Sequence, residues 1–217
     1  MTVVIQCAAT KRPNAAHLVT AQGKLVNFVA DPQAAPYNQA RLFARPDDLA
    51  DDGLSWRQVL SNYNAEPHNN PLRLYRAFEL YENKVYRRLV DRLGPKNVYI
   101  LLAGWGLIGA NFLTPYYDIT FSPSAERYKR RRKGDRYSDF CMLPDNLGDE
   151  ILFFGGKDYL PLFYQLTRSF KNKKTVFYNS IHIPGFSGFR FKRFETSTKT
   201  NWHYECVQAY LDGMIHA

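Results

Sequence analysis

Four short apolar runs constrain this chain more than anything else in it: TVVIQC (2–7), NVYILLAG (97–104), EILFFGG (150–156) and KTVFYNS (174–180). Each has the length of a strand, is rich in β-branched or aromatic residues, and gives way to glycines or small polar residues. Such runs read as strands buried on both faces. Segments of helical periodicity separate them, and strands alternating with helices imply a largely parallel sheet covered by helices. The expected fold is therefore α/β, a single domain over 1–217 with a basic insertion around 124–140. In open sheets of this kind ligands bind beyond the carboxyl ends of the strands. The first end carries Gln6, Cys7, Thr10 and Lys11, and the second Gly104, Trp105 and Gly106. The third carries Gly155, Gly156 and Lys157, and the fourth Tyr178, Asn179 and Ser180.

The spacing predicts one long helix over 70–94. Asn70 would cap it, Pro71 suits its first position, and Gly94 stops it. Tyr75, Phe78, Val85, Leu89 and Leu93 would form its apolar stripe. Further helices are expected over 157–172, with Pro161 in the first turns, and over 201–215. The acidic segment 46–56 leads into a shorter one through Trp56, Val59 and Leu60.

Lysine and arginine number 29 against 20 acidic residues, a net charge of +9. An excess of this size suits a polyanionic partner, because each neutralised phosphate releases counterions. The 3 cysteines show no CxxC spacing. This argues against a disulfide framework or zinc ribbon and points to a reducing, cytoplasmic setting. The first residues do not read as a signal peptide, and no apolar run approaches the ~20 residues of a membrane span. None of the 5 histidines stands at HxxxH spacing, so no metal is expected. GxxxxGK[ST] is absent, so this is not a P-loop protein, and no nucleotide cofactor is expected either.

The segment LLAGWGLIGANFLTPYYDITFS (101–122) is the most unusual. Gly104 and Gly106 would let a ligand approach the backbone closely. Trp105, Tyr116 and Tyr117 would stack on a flat ring. Asp118 is the one carboxylate between Asp91 and Glu126. Beside a stacked base it would activate water or stabilise a cationic sugar.

This segment resembles the part of the YaaA peroxide-stress family in which a strand runs into Ser-Gly-Leu-Tyr-Gly-Val-Leu, then Leu, then Pro-Tyr. The matching residues are Ala103 to Ile108, Phe112-Leu113 and Pro115-Tyr116. The N-terminal IQCAATK is similar to that family's Ile-Ser-Pro-Ala-Lys-Thr, with Cys7 in place of Ser-Pro and Thr10-Lys11 in inverted order. The resemblance implies a DNA-binding α/β protein that protects DNA, carrying an element shared with DNA glycosylases. FFGGKDYLPLF (153–163) also resembles the Gly-Gln-Asp-Pro-Tyr-His strand end of the uracil-DNA glycosylase superfamily. That likeness implies Asp158 as a competing water-activating acid, with Lys157 and Tyr159 beside the substrate.

The run RYKRRRKGDR (127–136) holds 7 basic residues. Such density suits phosphate contact through Lys129, Arg130, Arg131, Arg132, Lys133 and Arg136. In GFSGFRFKRF (185–194) phenylalanines alternate with Arg190, Lys192 and Arg193. This reads either as a half-buried strand or as an apolar wedge for opening a duplex. Together these features point to a DNA glycosylase acting on a modified or damaged base, single- or double-stranded context open, in repair or in restriction of foreign DNA. Asp118 or Asp158 would be the catalytic acid, and Asn179 would read the base. Lys11 would hold phosphate, as would Gly156 with Lys157. Two alternatives stand beside it: a non-catalytic DNA-binding stress protein, and a hydrolase of small nucleotides or nucleosides.

Overall fold

The structure is a computed structural model that describes residues 1–132, 134–147, 150–198 and 200–216. Strand β1 (Thr2–Gln6) opens the chain. A small parallel ribbon follows, β2 (Leu25–Phe28) with β3 (Arg41–Ala44). Helix α1 (Trp56–Tyr63) starts at Ser55, whose hydroxyl and Gln58 form a reciprocal cap. The two-residue β4 (Tyr75–Arg76) precedes α2 (Val85–Leu93) and β5 (Val98–Leu102). Then come β6 (Gly106–Gly109), β7 (Leu113–Thr114), β8 (Phe140–Cys141) and β9 (Glu150–Phe154). The chain finishes with α3 (Leu160–Thr167), β10 (Lys173–Tyr178), β11 (Arg190–Arg193) and α4 (Trp202–Leu211).

Seven strands form the central sheet in the order β11-β10-β9-β1-β5-β6-β8. The first five are mutually parallel, and β6 turns back antiparallel to β5. All four predicted strands are present and adjacent, with β1 near the middle, where Val3, Val4 and Ile5 are fully buried. Successive side chains of a strand point to opposite faces. Phe153 accordingly stacks on Phe163 of α3, while its neighbour Phe154 meets Tyr210 of α4. Helices thus cover both faces, as the alternation of elements implies.

The expected helix over 70–94 exists only as α2. Residues 70–84 are turns, because local and distant partners take the backbone that a helix would use. Asn70 Oδ1 accepts the Leu74 N–H at 2.9 Å and the Tyr63 hydroxyl at 2.7 Å. Arg73 adopts a left-handed φ of 55°, and β4 pairs with β7. The stripe of Tyr75 and Phe78 is therefore tertiary packing, not a helix face.

Candidate functional site

The Gly104-Trp105-Gly106 segment is a clamped hairpin turn, not a stacking platform. A Cβ on Gly104 would lie 2.9 Å from Ile119 Cδ1. Gly106 combines a φ of +89° with space that would put a Cβ 2.4 Å from the Phe140 carbonyl. Both glycines thus accommodate protein atoms, and the expectation that they admit a ligand is corrected. Two buried arginines grip the turn: Arg57 donates to the Gly104 and Trp105 carbonyls, each at 3.0 Å, and Arg131 to the Ala103 carbonyl at 2.7 Å. Asp47 and Asp139 balance them. Trp105 is fully buried against Phe28.

Beyond the carboxyl ends of β1 and β9 lies a cleft of two chambers. The outer chamber, about 560 Å³, is lined by Cys7, Thr10, Lys11, Tyr116, Asp118 and Lys129, among others. The inner chamber, about 280 Å³, is lined by Gln6, Gly156, Asp158, Trp202, His203 and Tyr204. Cys7, Ala8, Ala9, Thr120, Ser122 and Tyr159 line both, so the chambers share a wall. Strand topology thus places Cys7, Thr10, Lys11, Tyr116, Asp118, Gly156 and Tyr159 around one cleft, as the sequence suggests.

In the outer chamber Asp118 Oδ2 pairs with Lys129 Nζ at 2.9 Å, and Lys129 also reaches Glu126 at 2.6 Å. Desolvation opposes the Lys129 ammonium, but its bonds to Glu126 and Asp118 outweigh that and hold its pKa above the ordinary lysine value. Lys11 Nζ sits 4.2 Å from the Tyr117 ring centroid and 5.7 Å from that of Tyr116. Burial pushes the Lys11 pKa down, against the pull of Cys7 and Asp118.

Beneath the cleft five tyrosines surround the end of β1. The Cys7 thiol lies 3.2 Å from the Tyr159 hydroxyl, and the Tyr81 and Tyr117 hydroxyls are 2.8 Å apart. Tyr86 donates to the Gln6 carbonyl at 2.8 Å and meets Tyr204 at 3.3 Å. Burial raises all five phenol pKa values, that of Tyr204 to about 12. His203 is buried, its Nε2 has no partner among the described residues, and burial lowers its pKa to about 4. Its imidazole is therefore neutral at ordinary pH. Tyr81, Tyr86, His203 and Tyr204 were not singled out as site residues by sequence. Tyr81 and Tyr86 fall inside what looks like an amphipathic helix, and His203 carries no spacing motif.

Several expected site residues lie elsewhere. Tyr117 is fully buried below the cleft floor, so of Trp105, Tyr116 and Tyr117 only Tyr116 lines a chamber. The Gly156 N–H, expected to meet phosphate, donates to Gln6 Oε1 at 2.6 Å. Asn179 lines a separate cavity of about 320 Å³ with Lys157 and Asp158, away from Asp118. Asp158 is exposed and borders this cavity, the inner chamber and a groove of about 570 Å³.

The basic run divides by environment. Arg131 is no phosphate contact: its guanidinium is buried, makes a bidentate pair with Asp139 and lies 3.9 Å from the Tyr137 ring centroid. Lys129 is held by Asp118 and Glu126, and Arg130 donates to the Pro123 carbonyl at 3.1 Å. Arg132 and Arg136 are exposed, and Arg132 lines the 570 Å³ groove with Lys157, Phe121 and Phe186. Lys133 lies outside the described residues. On the edge strand β11, Arg190 and Arg193 are exposed, while Lys192 donates to the His216 carbonyl. The phenylalanine wedge is corrected as well. Phe186 and Phe189 pack on Tyr164, Phe191 on Tyr178, and Phe194 on Trp202. The exposed apolar residues nearby are Ile181 and Ile183.

Among the described residues no group of three or more His, Cys, Asp or Glu side chains is arranged to hold a metal ion, and no helix is long and apolar enough to cross a membrane. Comparison with family models, with curated proteins and with solved structures gives no match.

Proposed function

We propose that the protein acts on DNA as an N-glycosidase, hydrolysing the bond between deoxyribose and a modified or damaged base flipped into the two-chamber cleft. The observation that carries this reading is the placement of Asp118. Its carboxylate, paired with Lys129, lines a polar chamber that adjoins a smaller one lined in part by Trp202, His203 and Tyr204. The base occupies the inner chamber, where unpartnered His203 Nε2 supplies a hydrogen bond once its tautomer suits the base. The sugar lies in the outer chamber. Asp118 there activates water or stabilises the oxocarbenium ion as the base departs. Exposed Arg132, Arg136 and Lys157 supply sequence-independent phosphate contacts, in keeping with the net charge of +9. A cytoplasmic setting suits three free thiols.

A strand-cleavage assay tests this. Labelled duplexes and single strands carrying damaged, naturally modified and glycosylated bases are incubated with the protein and then treated with alkali. A break at one class of base, absent with Asp118→Asn while DNA binding persists, is the expected result. Loss of binding and turnover together would overturn the assignment of Asp118. The second reading is a non-catalytic DNA-binding protein of the protective kind that the YaaA resemblance implies. It is favoured by the burial of Trp105 and Tyr117, which removes two of the three rings expected to stack on a base. No break across the panel, with salt-sensitive retention of every DNA, would establish it.

A further inference from the structure

Lys11 occupies an unusual setting for a lysine lining a polar cleft. Its ammonium has no carboxylate within 4.0 Å among the described residues, because the nearby Asp118 is taken by Lys129 at 2.9 Å. What holds its Nζ is the Ala9 carbonyl at 3.3 Å and the faces of Tyr117 and Tyr116. A backbone bridge to Tyr81 fixes the main chain at this residue, and the Ala9 carbonyl and the tyrosine faces hold the amine in the chamber. The desolvation that lowers its pKa increases the share of neutral amine, which is the nucleophilic form. Phosphate binding, by contrast, needs the ammonium. Thr10, Ser122 and Ser124 bring hydroxyls to the same chamber.

We infer that Lys11 is a nucleophilic amine that captures the open-chain aldehyde of a phosphate-bearing pentose, and that it gives the protein a strand-cleaving lyase activity at base-free sites in DNA. The lyase part rests on the DNA reading above; aldehyde capture does not. The Nζ lone pair adds to C1′, and the carbonyl π electrons move to its oxygen. Proton transfer to that oxygen and departure of water leave a protonated imine. The Asp118 carboxylate, in the same chamber, takes a proton from C2′. The resulting enamine expels the 3′ phosphate as the C3′–O bond breaks, the electron pair leaving with the oxygen. Water then adds to C1′ and releases Lys11 and an unsaturated aldehyde, so no redox partner is needed.

The full-length protein is incubated with cyanoborohydride, which reduces an imine to a stable amine, and with one of two probes. One is a duplex with a single base-free site; the other is a free pentose phosphate. Peptide mass spectrometry locates the adduct. The expected result is a DNA adduct on Lys11 that is lost in Lys11→Arg, a variant that keeps the charge but removes the primary amine. Melting temperature confirms that this variant is folded. Adduct on Lys11 with the pentose phosphate alone sustains the aldehyde-capturing amine and overturns the lyase part. Absence of both adducts, or their location on another amine such as Met1, overturns the role of Lys11. The base-removal assay is separate: bases released without any adduct would leave the glycosidase reading standing and this inference fallen.

Discussion

Arg131 and Asp139 meet through two parallel bonds of 2.8 and 2.6 Å, with side chains only 6% and 1% exposed. The third guanidinium contact, to the Ala103 carbonyl, ties this pair to the turn that follows β5. Within a stretch of seven basic residues, the central arginine is thus part of the interior. Burial raises the Asp139 pKa, and the Arg131 guanidinium works against that rise. Replacing Arg131 by Met strands a buried carboxylate, so Arg131→Met is expected to lose about 3–5 kcal/mol of stability. Urea denaturation reads this directly. A midpoint equal to wild type would show that the pair does not hold the turn.

The neighbouring arginine behaves differently. Arg132 and Lys157 are both exposed on the groove beside the cleft. Arg132→Ala with Lys157→Ala should leave the urea midpoint unchanged and weaken DNA binding equally for all sequences. The slope of log affinity against log salt should fall in magnitude by about 1 per contact removed. An unchanged slope would move the phosphate path elsewhere.

Trp105 separates packing from stacking. It is fully buried, and no chamber of the cleft includes it. Trp105→Ala is expected to cost about 3–5 kcal/mol in stability. Trp105→Phe, with less volume lost, should fold and retain ligand affinity. Affinity lost in a stably folded Trp105→Phe would return this indole to the binding surface.

His203 gives stability a pH dependence of known sign. Its folded pKa, near 4, lies below the roughly 6.5 of an unfolded histidine. Between these values the unfolded chain binds the proton and the folded chain does not. The contribution is fully present above about pH 6.5 and is lost as pH falls to about 4, amounting to about 3 kcal/mol. His203→Phe should flatten this part of the profile. Carboxylates titrate at the acid end in both proteins, so the difference between the two unfolding curves is what counts. Parallel curves would mean that His203 binds its proton equally well in the folded and unfolded chains.

The sheet was legible because a parallel strand buried on both faces leaves a continuous apolar run, and four of them carried the order of elements with them. The helix through Trp56, Val59 and Leu60 and the Pro161 entry to α3 were equally local signals. What escaped depended on partners far along the chain. Nothing near Tyr75 announces that it pairs with Thr114, and nothing near Arg131 marks Asp139 as its counter-ion rather than a phosphate. The glycines flanking Trp105 read alike whether a ligand ring or Ile119 and Phe140 fill the space above them. The cleft itself was half legible: strand ends fixed Cys7, Lys11 and Gly156, but the contribution of α4 depended on how the last helix docks.

The central position of β1 has a consequence for synthesis. Its two neighbours are formed by residues 98–102 and 150–154, so β1 has both edges open until the first of these is made and one edge open until the second. The wall of the inner chamber waits longer, for residues 200–204. Nascent chains therefore carry an unpaired edge around the apolar Val3, Val4 and Ile5 while still lacking a finished cleft, a state that favours holding by chaperones and slow, late closure over folding in step with elongation.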